Sequence, residues 1–423
     1  MGRLLLPLVA RARTLSAAAA PTPNCVTGRL PGRDVIEGRF SLAVRGRGTF
    51  RNTPGIHNAR RTYCPSAVES GPTLPATSLP VAWSCERQRR PRTRREGRAR
   101  VTPDGILAMA RGFQATRVLL SAVELDLFGH LAGGPLTAPQ VAERAGTDAR
   151  ATELLLNALV ALGLLGKQGQ GFANTPAAGE ALVPDAPGSV VPAVQHANRL
   201  WDHWSTLSEV LRTGEPADVP ERFPDATEVF ILAMHVFARQ RAAAVVELVD
   251  LRGVRRLLDL GGGPGTYACA FARRRPGLEV VLFDRPPVVP IAQRVTASEC
   301  PGGQIRTVPG DFLSDHLGSG FDLIWASAII HMLRPEQNRM LFTRCYAALS
   351  PGGRLVIQDG IMDESKTHPP DAALFAINML INTEGGASWS EPEVREWLTG
   401  CGFVGVERTD TPTGSALMSG RKA

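Results

Sequence analysis

The segment that most constrains this chain is Arg255-Arg-Leu-Leu-Asp-Leu260, which runs directly into Gly261-Gly-Gly-Pro-Gly265 and then into the helix-like stretch Ala268–Arg275. A short apolar run, a glycine loop and a helix together read as the first strand, turn and helix of an α/β unit. Glycines at the turn let backbone approach a ligand where a Cβ would collide. Gly263-Pro-Gly265-Thr-Tyr-Ala268 satisfies G-x-G-x-x-A, and Asp284 closes the strand-like run Val280–Phe283 nineteen residues after Gly265. An acid there accepts hydrogen bonds from ribose hydroxyls, in NAD as well as in S-adenosylmethionine (SAM). The two ligands share an adenosine, so this stretch alone does not separate them.

Further along, Gly310-Asp311-Phe312 offers a carboxylate for an adenine amino group and an aromatic for its ring at the end of a third strand. Phe321–Ala326 reads as a fourth strand, and Pro351-Gly-Gly-Arg-Leu-Val-Ile-Gln358 as a turn and a fifth. The order D-x-G-G-G-x-G, F-D, G-D-F, P-G-G-x-L-V-I resembles the motif series of class I SAM-dependent methyltransferases. That resemblance implies a doubly wound α/β domain with a seven-stranded Rossmann-like sheet. It implies SAM as cofactor, held by Asp259, Gly261, Gly262, Gly263, Gly265, Asp284, Gly310, Asp311, Phe312 and Ser327. The G-D-F and P-G-G elements argue against an NAD-dependent dehydrogenase.

Ala326-Ser-Ala-Ile-Ile-His331-Met-Leu-Arg follows the fourth strand, at the carboxyl edge where open α/β sheets place their ligands. It resembles the I-L-H-D-W segment of the small-molecule O-methyltransferase family, whose His deprotonates the acceptor hydroxyl. Such a base is chemically useful, because a phenol with a pKa near ~10 is poorly ionised at neutral pH while an imidazole near ~6.5 is free to accept a proton. Asp359, closing the fifth strand, matches the acid that orients this His. The alternatives are a histidine satisfied by backbone at a helix start and a carboxylate serving as a cap.

Two positions depart from the family. Met332 stands where an Asp follows the His, and Ser388 stands where a second flanking Glu is expected, with Glu384 four residues away. These losses leave room for C-methylation or SAM-assisted hydroxylation on the same fold. The apolar helix Ala372–Asn382 matches the family's acceptor wall, to which Phe375, Met379 and Asn382 are assigned together with Met234. The expected reaction is an in-line methyl transfer, without a metal, to a hydroxyl of a small aromatic or polyketide-like molecule.

Upstream, apolar residues from Ile106 to Leu131 recur at helical spacing. Thr137-Ala-Pro-Gln140 is a capping box, Ala149–Leu162 a further helix and Leu164–Asn174 a hairpin. Helix, turn, helix and hairpin describe a winged helix. Residues 101–190 hold 5 basic and 8 acidic side chains, so the cationic face that drives DNA affinity is missing. The stretch resembles the dimerisation domain of the plant-type and bacterial enzymes, including acetylserotonin O-methyltransferase, which implies a homodimer. Trp201 and Trp204, flanking His203, read as core or interface packing in preference to substrate lining. Ser390-Glu-Pro-Glu393 is another capping box, and Phe403–Arg408 with Ala416–Gly420 read as the last strand pair.

Residues 1–100 carry 19 Arg and no Lys against 5 acidic residues, whereas the whole chain is only +7. The remainder is therefore net acidic. Met1–Arg33 has the composition of an organelle transit peptide, and Arg87–Arg100 has eight Arg in fourteen residues without interleaved aromatics. A disordered leader is the preferred reading. Seven Cys without C-x-x-C spacing suggest neither a disulfide framework nor a zinc cluster. No window reaches the ~18 consecutive apolar residues of a membrane span. The expected organisation is an Arg-rich leader (1–100), a winged-helix dimerisation domain (101–190), a helical linker lining the substrate pocket (191–250) and a SAM-binding domain (251–423). A cytoplasmic enzyme that binds no nucleic acid and no membrane is expected. The reading from a different class is a winged-helix regulatory protein with a vestigial SAM pocket.

Overall fold

The computed structural model describes residues 101–221, 225–302 and 305–423. The leader, with its transit-like segment and its Arg87–Arg100 run, lies outside them. The first helices are α1 (Pro103–Arg111), α2 (Phe113–Glu124) and α3 (Leu127–His130). A short strand β1 (Leu136–Thr137) leads into α4 (Ala138–Ala145), where Thr137 and Gln140 close the expected capping box. Next come α5 (Ala149–Ala161), β2 (Leu165–Gln168) and β3 (Gly171–Asn174). These strands form a three-stranded sheet in the order β1-β3-β2, so the hairpin is a wing. Leu127, Phe128, Val141, Leu156, Leu159, Leu165 and Phe172 supply its buried core.

A run of helices then bridges to the second half: α6 (Pro176–Ala181), α7 (Val191–Trp204), α8 (Leu207–Thr213), α9 (Ala226–Arg239) and α10 (Ala242–Val246). Helix α7 packs against both α2 and α9. Asn198 of α7 bonds Arg117 and Glu124 of α2, while Arg199 bonds Glu221 and the Ala226 carbonyl. Buried polar groups on α7 thus fix its rotation.

The second half continues with β4 (Arg256–Leu260), α11 (Thr266–Arg274), β5 (Glu279–Asp284), α12 (Val289–Glu299), β6 (Ile305–Pro309), β7 (Phe321–Ser327) and α13 (Pro335–Ala348). It ends with β8 (Leu349–Asp359), α14 (Pro370–Asn382), α15 (Glu391–Gly400), β9 (Phe403–Asp410) and β10 (Ala416–Lys422). The sheet order is β6-β5-β4-β7-β8-β10-β9, with β10 antiparallel to both neighbours. Successive side chains divide between the two faces. Leu258, Val281, Phe283, Ile324, Leu355 and Ile357 join one core with α13 and α15. Leu257, Val280, Leu282, Leu323, Trp325 and Val356 join the other with α10 and α11. Both faces are buried, as a doubly wound sheet requires. The strand order reverses between β4 and β7, and the crevice at their carboxyl ends is where such sheets bind ligands.

Candidate active site

The glycine loop is held in place by β5. Gly261 and Gly262 donate to the Phe283 carbonyl, at 2.8 and 3.4 Å, and Gly263 donates to Asp284 Oδ2 at 2.7 Å. Gly261 has φ 63°, and a Cβ on it would lie 2.4 Å from Ile329 Cδ1. This is a close approach of two loops, one after β4 and one after β7. Ala328 produces the second loop, since its φ of 57° turns the chain back over the glycines.

That turn delivers His331 in a 3-10 segment, Ile330–Met332, whose Ile330 carbonyl is pinned by Trp389 Nε1 at 2.8 Å and Asn338 Nδ2 at 3.0 Å. His331 is 4% exposed and Asp359 6%. Nδ1 of His331 lies 2.9 and 3.0 Å from the two Asp359 oxygens, and Asp359 also accepts from Gly360 N–H at 2.8 Å. The histidine is therefore satisfied by a carboxylate rather than by backbone. With Nδ1 committed, Nε2 is left for chemistry. Phe375 meets the imidazole edge to face at 4.8 Å.

A cavity of about 960 Å³ joins these parts, which is the upper end of the range for small-molecule sites. Asp259, Gly261, Gly262, Gly263, Asp284, Asp311, Phe312 and Ser327 line it, as do His331, Met234 and Phe375. Four residues assigned to ligand contact from sequence are not at its wall. Gly265 donates its N–H to Gly262, and a Cβ on it would lie 2.5 Å from Thr296 Cγ2; its role is to pack the loop on α12. Gly310 donates to the Asp284 carbonyl, and a Cβ there would lie 2.4 Å from the Phe283 ring. Met379 is fully buried and Asn382 folds back onto Asn378. The α14 residues at the cavity are Asp371, Leu374, Phe375 and Asn378; Met379 and Asn382, on the same helical stripe but one turn further on from Phe375 and Asn378, lie beyond its end.

Trp204 also corrects the sequence reading. It lines the cavity, and its Nε1 donates to Asn378 Oδ1 at 3.0 Å, whereas Trp201 packs against the Arg117 guanidinium. Ser388 donates to the Ala372 carbonyl at 2.7 Å, and Glu384 pairs with Arg334 at 2.7 Å. Neither supplies a second acid to His331. Among the described residues no group of three or more His, Cys, Asp or Glu is arranged to hold a metal ion.

Charge is concentrated at the loop end of the cavity. Burial and the neighbouring Asp284 push the Asp259 carboxyl up to about 7. Asp284 is raised by burial too, and two backbone N–H groups, from Gly263 and Arg285, offset part of this. Asp259 Oδ2 and Arg241 Nε are buried without partners, and the Tyr267 hydroxyl sits beside Arg241 and Ser327 without a well-formed hydrogen bond. Unpaired buried polar groups are costly. An anion, a guanidinium and a phenol left open together suit an amino-carboxylate, and the nearby Asp284 suits a ribose, so the residues fit SAM. Arg241 escapes the sequence reading because it belongs to no glycine motif, and Tyr267 because it fills a variable position of G-x-G-x-x-A. Tyr267 was nonetheless findable, one residue into the helix that the loop opens.

Comparison with known proteins agrees with this architecture. Residues 107–184 match the O-methyltransferase dimerisation domain and residues 217–404 the O-methyltransferase domain. The chain is 34% identical over 333 residues to 3-hydroxy-5-methyl-1-naphthoate 3-O-methyltransferase of Streptomyces sahachiroi, covering 76% of this chain and 96% of that one. It is also 34% identical over 330 residues to the tetracenomycin polyketide synthesis 8-O-methyl transferase of Streptomyces glaucescens, covering 76% and 97%. The structure of human N-acetylserotonin methyltransferase in complex with SAM superposes with a TM-score of 0.68 at 27% identity, covering 77% of this chain and 99% of that one. The chain belongs to the SAM-dependent O-methyltransferase family, with the family's dimerisation domain preceding its Rossmann-like methyltransferase core.

Proposed function

We propose that this enzyme methylates a hydroxyl of a small aromatic, polyketide-like acceptor, with His331 as general base and Asp359 as the group that orients it. The observation that carries the reading is the buried His331–Asp359 pair opening into the same cavity as the glycine loop. When bound, SAM supplies an electrophilic methyl group. Asp284 would hold the ribose, Asp311 and Phe312 the adenine, and Asp259, Arg241 and Tyr267 the amino-acid tail, with Gly261–Gly263 and Ser327 completing the lining. Nδ1–H donated to Asp359 fixes the tautomer so that Nε2 is the atom that takes the acceptor hydroxyl's proton. The carboxylate then stabilises the imidazolium. General-base help of this kind is worth about 10²–10⁴ in rate.

Met234, Phe375, Trp204, Leu200 and Phe230 give the acceptor end of the cavity an apolar, aromatic wall. The naphthoate and polyketide acceptors named for the two Streptomyces relatives suit such a wall. We assign residues 101–190 to subunit pairing, 191–250 to the pocket wall, 251–423 to SAM and 1–100 to a leader. The stretch Pro103–Glu124 is apolar and long enough, by length and composition alone, to cross a bilayer. We read its exposed Ile106, Leu107, Met109 and Phe113 as the homodimer face, because the rest of the stretch is anchored: Leu120, Ala122 and Val123 are buried, and Arg117 bonds Asn198. The free thiols Cys269, Cys300, Cys345 and Cys401 fit a reducing, cytoplasmic setting.

Calorimetric titration with S-adenosylhomocysteine tests the cofactor assignment. Micromolar binding that is abolished in Asp284→Ala supports it, and unchanged binding in that variant refutes it.

A further inference from the structure

Helix α7 buries three polar residues, His196, Asn198 and Arg199. The second and third are fully engaged, with Arg117 and Glu124 and with Glu221 and the Ala226 carbonyl. His196 is different. It is 8% exposed, its Nδ1 has no partner, and it lies on the α7 face that lines the cavity with Ala193, Ala197, Leu200 and Trp204. Its ring stands edge-on to Phe230 at 5.3 Å, one helical turn from Met234. Burial and Arg199 push the imidazole down to about 4, so it is neutral at physiological pH.

This face belongs to the acceptor end of the cavity. Trp204 is hydrogen-bonded to Asn378 of α14, and the same α14 face sets Phe375 against His331. His196 lies eight residues from Trp204, roughly 12 Å along the helix axis, at the end of this wall away from the α14 contact that Trp204 makes. A neutral imidazole has one donor and one acceptor. A half-turn about its second side-chain torsion changes which ring edge carries nitrogen without changing its shape. Leaving such a group unpaired costs folding free energy, and a ligand in the cavity that the ring lines can supply the partner once the ring turns its nitrogen edge to it.

We propose that His196 is a specificity residue that hydrogen-bonds a second polar substituent of the acceptor, a hydroxyl or carbonyl on a ring other than the one being methylated. The enzyme therefore selects fused-ring acceptors oxygenated at both ends. This rests on the reading of the cavity given under Proposed function.

The test uses the full chain saturated with S-adenosylhomocysteine and measures binding of 2-naphthol and of the 1,5-, 1,6- and 2,7-dihydroxynaphthalenes by fluorescence quenching. Wild type is expected to bind at least one diol fivefold or more tighter than 2-naphthol. His196→Phe, which keeps the volume and the contact with Phe230, should erase that preference while leaving 2-naphthol and S-adenosylhomocysteine affinities unchanged, and His196→Gln should restore part of it. Equal binding of 2-naphthol and every diol by wild type, or a preference that survives in His196→Phe, overturns the inference and leaves the acceptor site standing. Failure of every naphthol to bind wild type that does bind S-adenosylhomocysteine overturns the acceptor reading itself, and this inference with it.

Discussion

Replacing Asp259 by Asn should stabilise the ligand-free protein and weaken its hold on SAM. Asp259 is 2% exposed and its Oδ2 is unpaired. Its carboxyl is raised from 3.8 to about 7, first by burial and then by Asp284. A raised acid keeps in the folded state a proton that the unfolded chain releases. Its contribution to stability is therefore present below the unfolded value, is lost as pH rises from about 4 to about 7, and is fully lost above that. At 1.36 kcal/mol per unit, the full loss is roughly 4 kcal/mol. Asn removes the charge but leaves an amide hydrogen unpaired, at a cost of about 1–3 kcal/mol. A net gain of roughly 1–3 kcal/mol remains, worth on the order of 5 °C in Tm at pH 8. At pH 5, where the wild-type carboxyl is already protonated, the gain should vanish. Thermal unfolding of both proteins at pH 5 and pH 8, with and without S-adenosylhomocysteine, reads this directly. The ligand should raise the Tm of wild type more than that of Asp259→Asn. A variant no more stable than wild type at pH 8, or one equally stabilised at both pH values, refutes the reasoning.

Other positions give separate tests. Asp359→Asn should lower methyl transfer about 10²-fold or more, because the wrong tautomer of His331 is then favoured, while calorimetry finds S-adenosylhomocysteine affinity unchanged. Gly261→Ala forces a side chain into a left-handed backbone and to 2.4 Å from Ile329 Cδ1, so chemical denaturation should show a loss of about 2 kcal/mol or more, partly recovered in the Ile329→Ala background. Trp204→Phe removes the donor to Asn378 and should raise the acceptor KM several-fold with little change in kcat, since it touches the wall and not the base.

The doubly wound sheet was legible because its parts are local: strand-length apolar runs, glycine turns and acids at strand ends all lie in the linear order of residues. The same locality made Asp259, Asp284, Asp311 and His331 findable. Side-chain direction on buried helices was not. The stretch from Ala372 to Asn382 is apolar on nearly every side, so its pattern did not reveal that Phe375 lines the cavity while Met379, one turn on along the same stripe, is buried beyond its end. Trp204 and His196 were hidden for a related reason, since which face of α7 meets the pocket is settled by the distant pairs Asn198–Arg117 and Arg199–Glu221. Gly265 and Gly310 looked like ligand contacts because close approach to a ligand and close packing against Thr296 or Phe283 demand the same residue.

The central claim is that His331 removes the acceptor's proton, and acceptor acidity tests it most directly. Single-turnover transfer of labelled methyl from SAM should be measured for wild type and His331→Gln with two acceptors. One is 2-naphthol, a hydroxyl largely protonated at neutral pH, and the other is 2,4-dinitro-1-naphthol, ionised at the same pH. The account predicts a loss of about 10²–10⁴ for 2-naphthol and less than tenfold for the dinitro compound, with S-adenosylhomocysteine affinity unchanged. An equal loss for both acceptors would show that His331 contributes something other than proton removal.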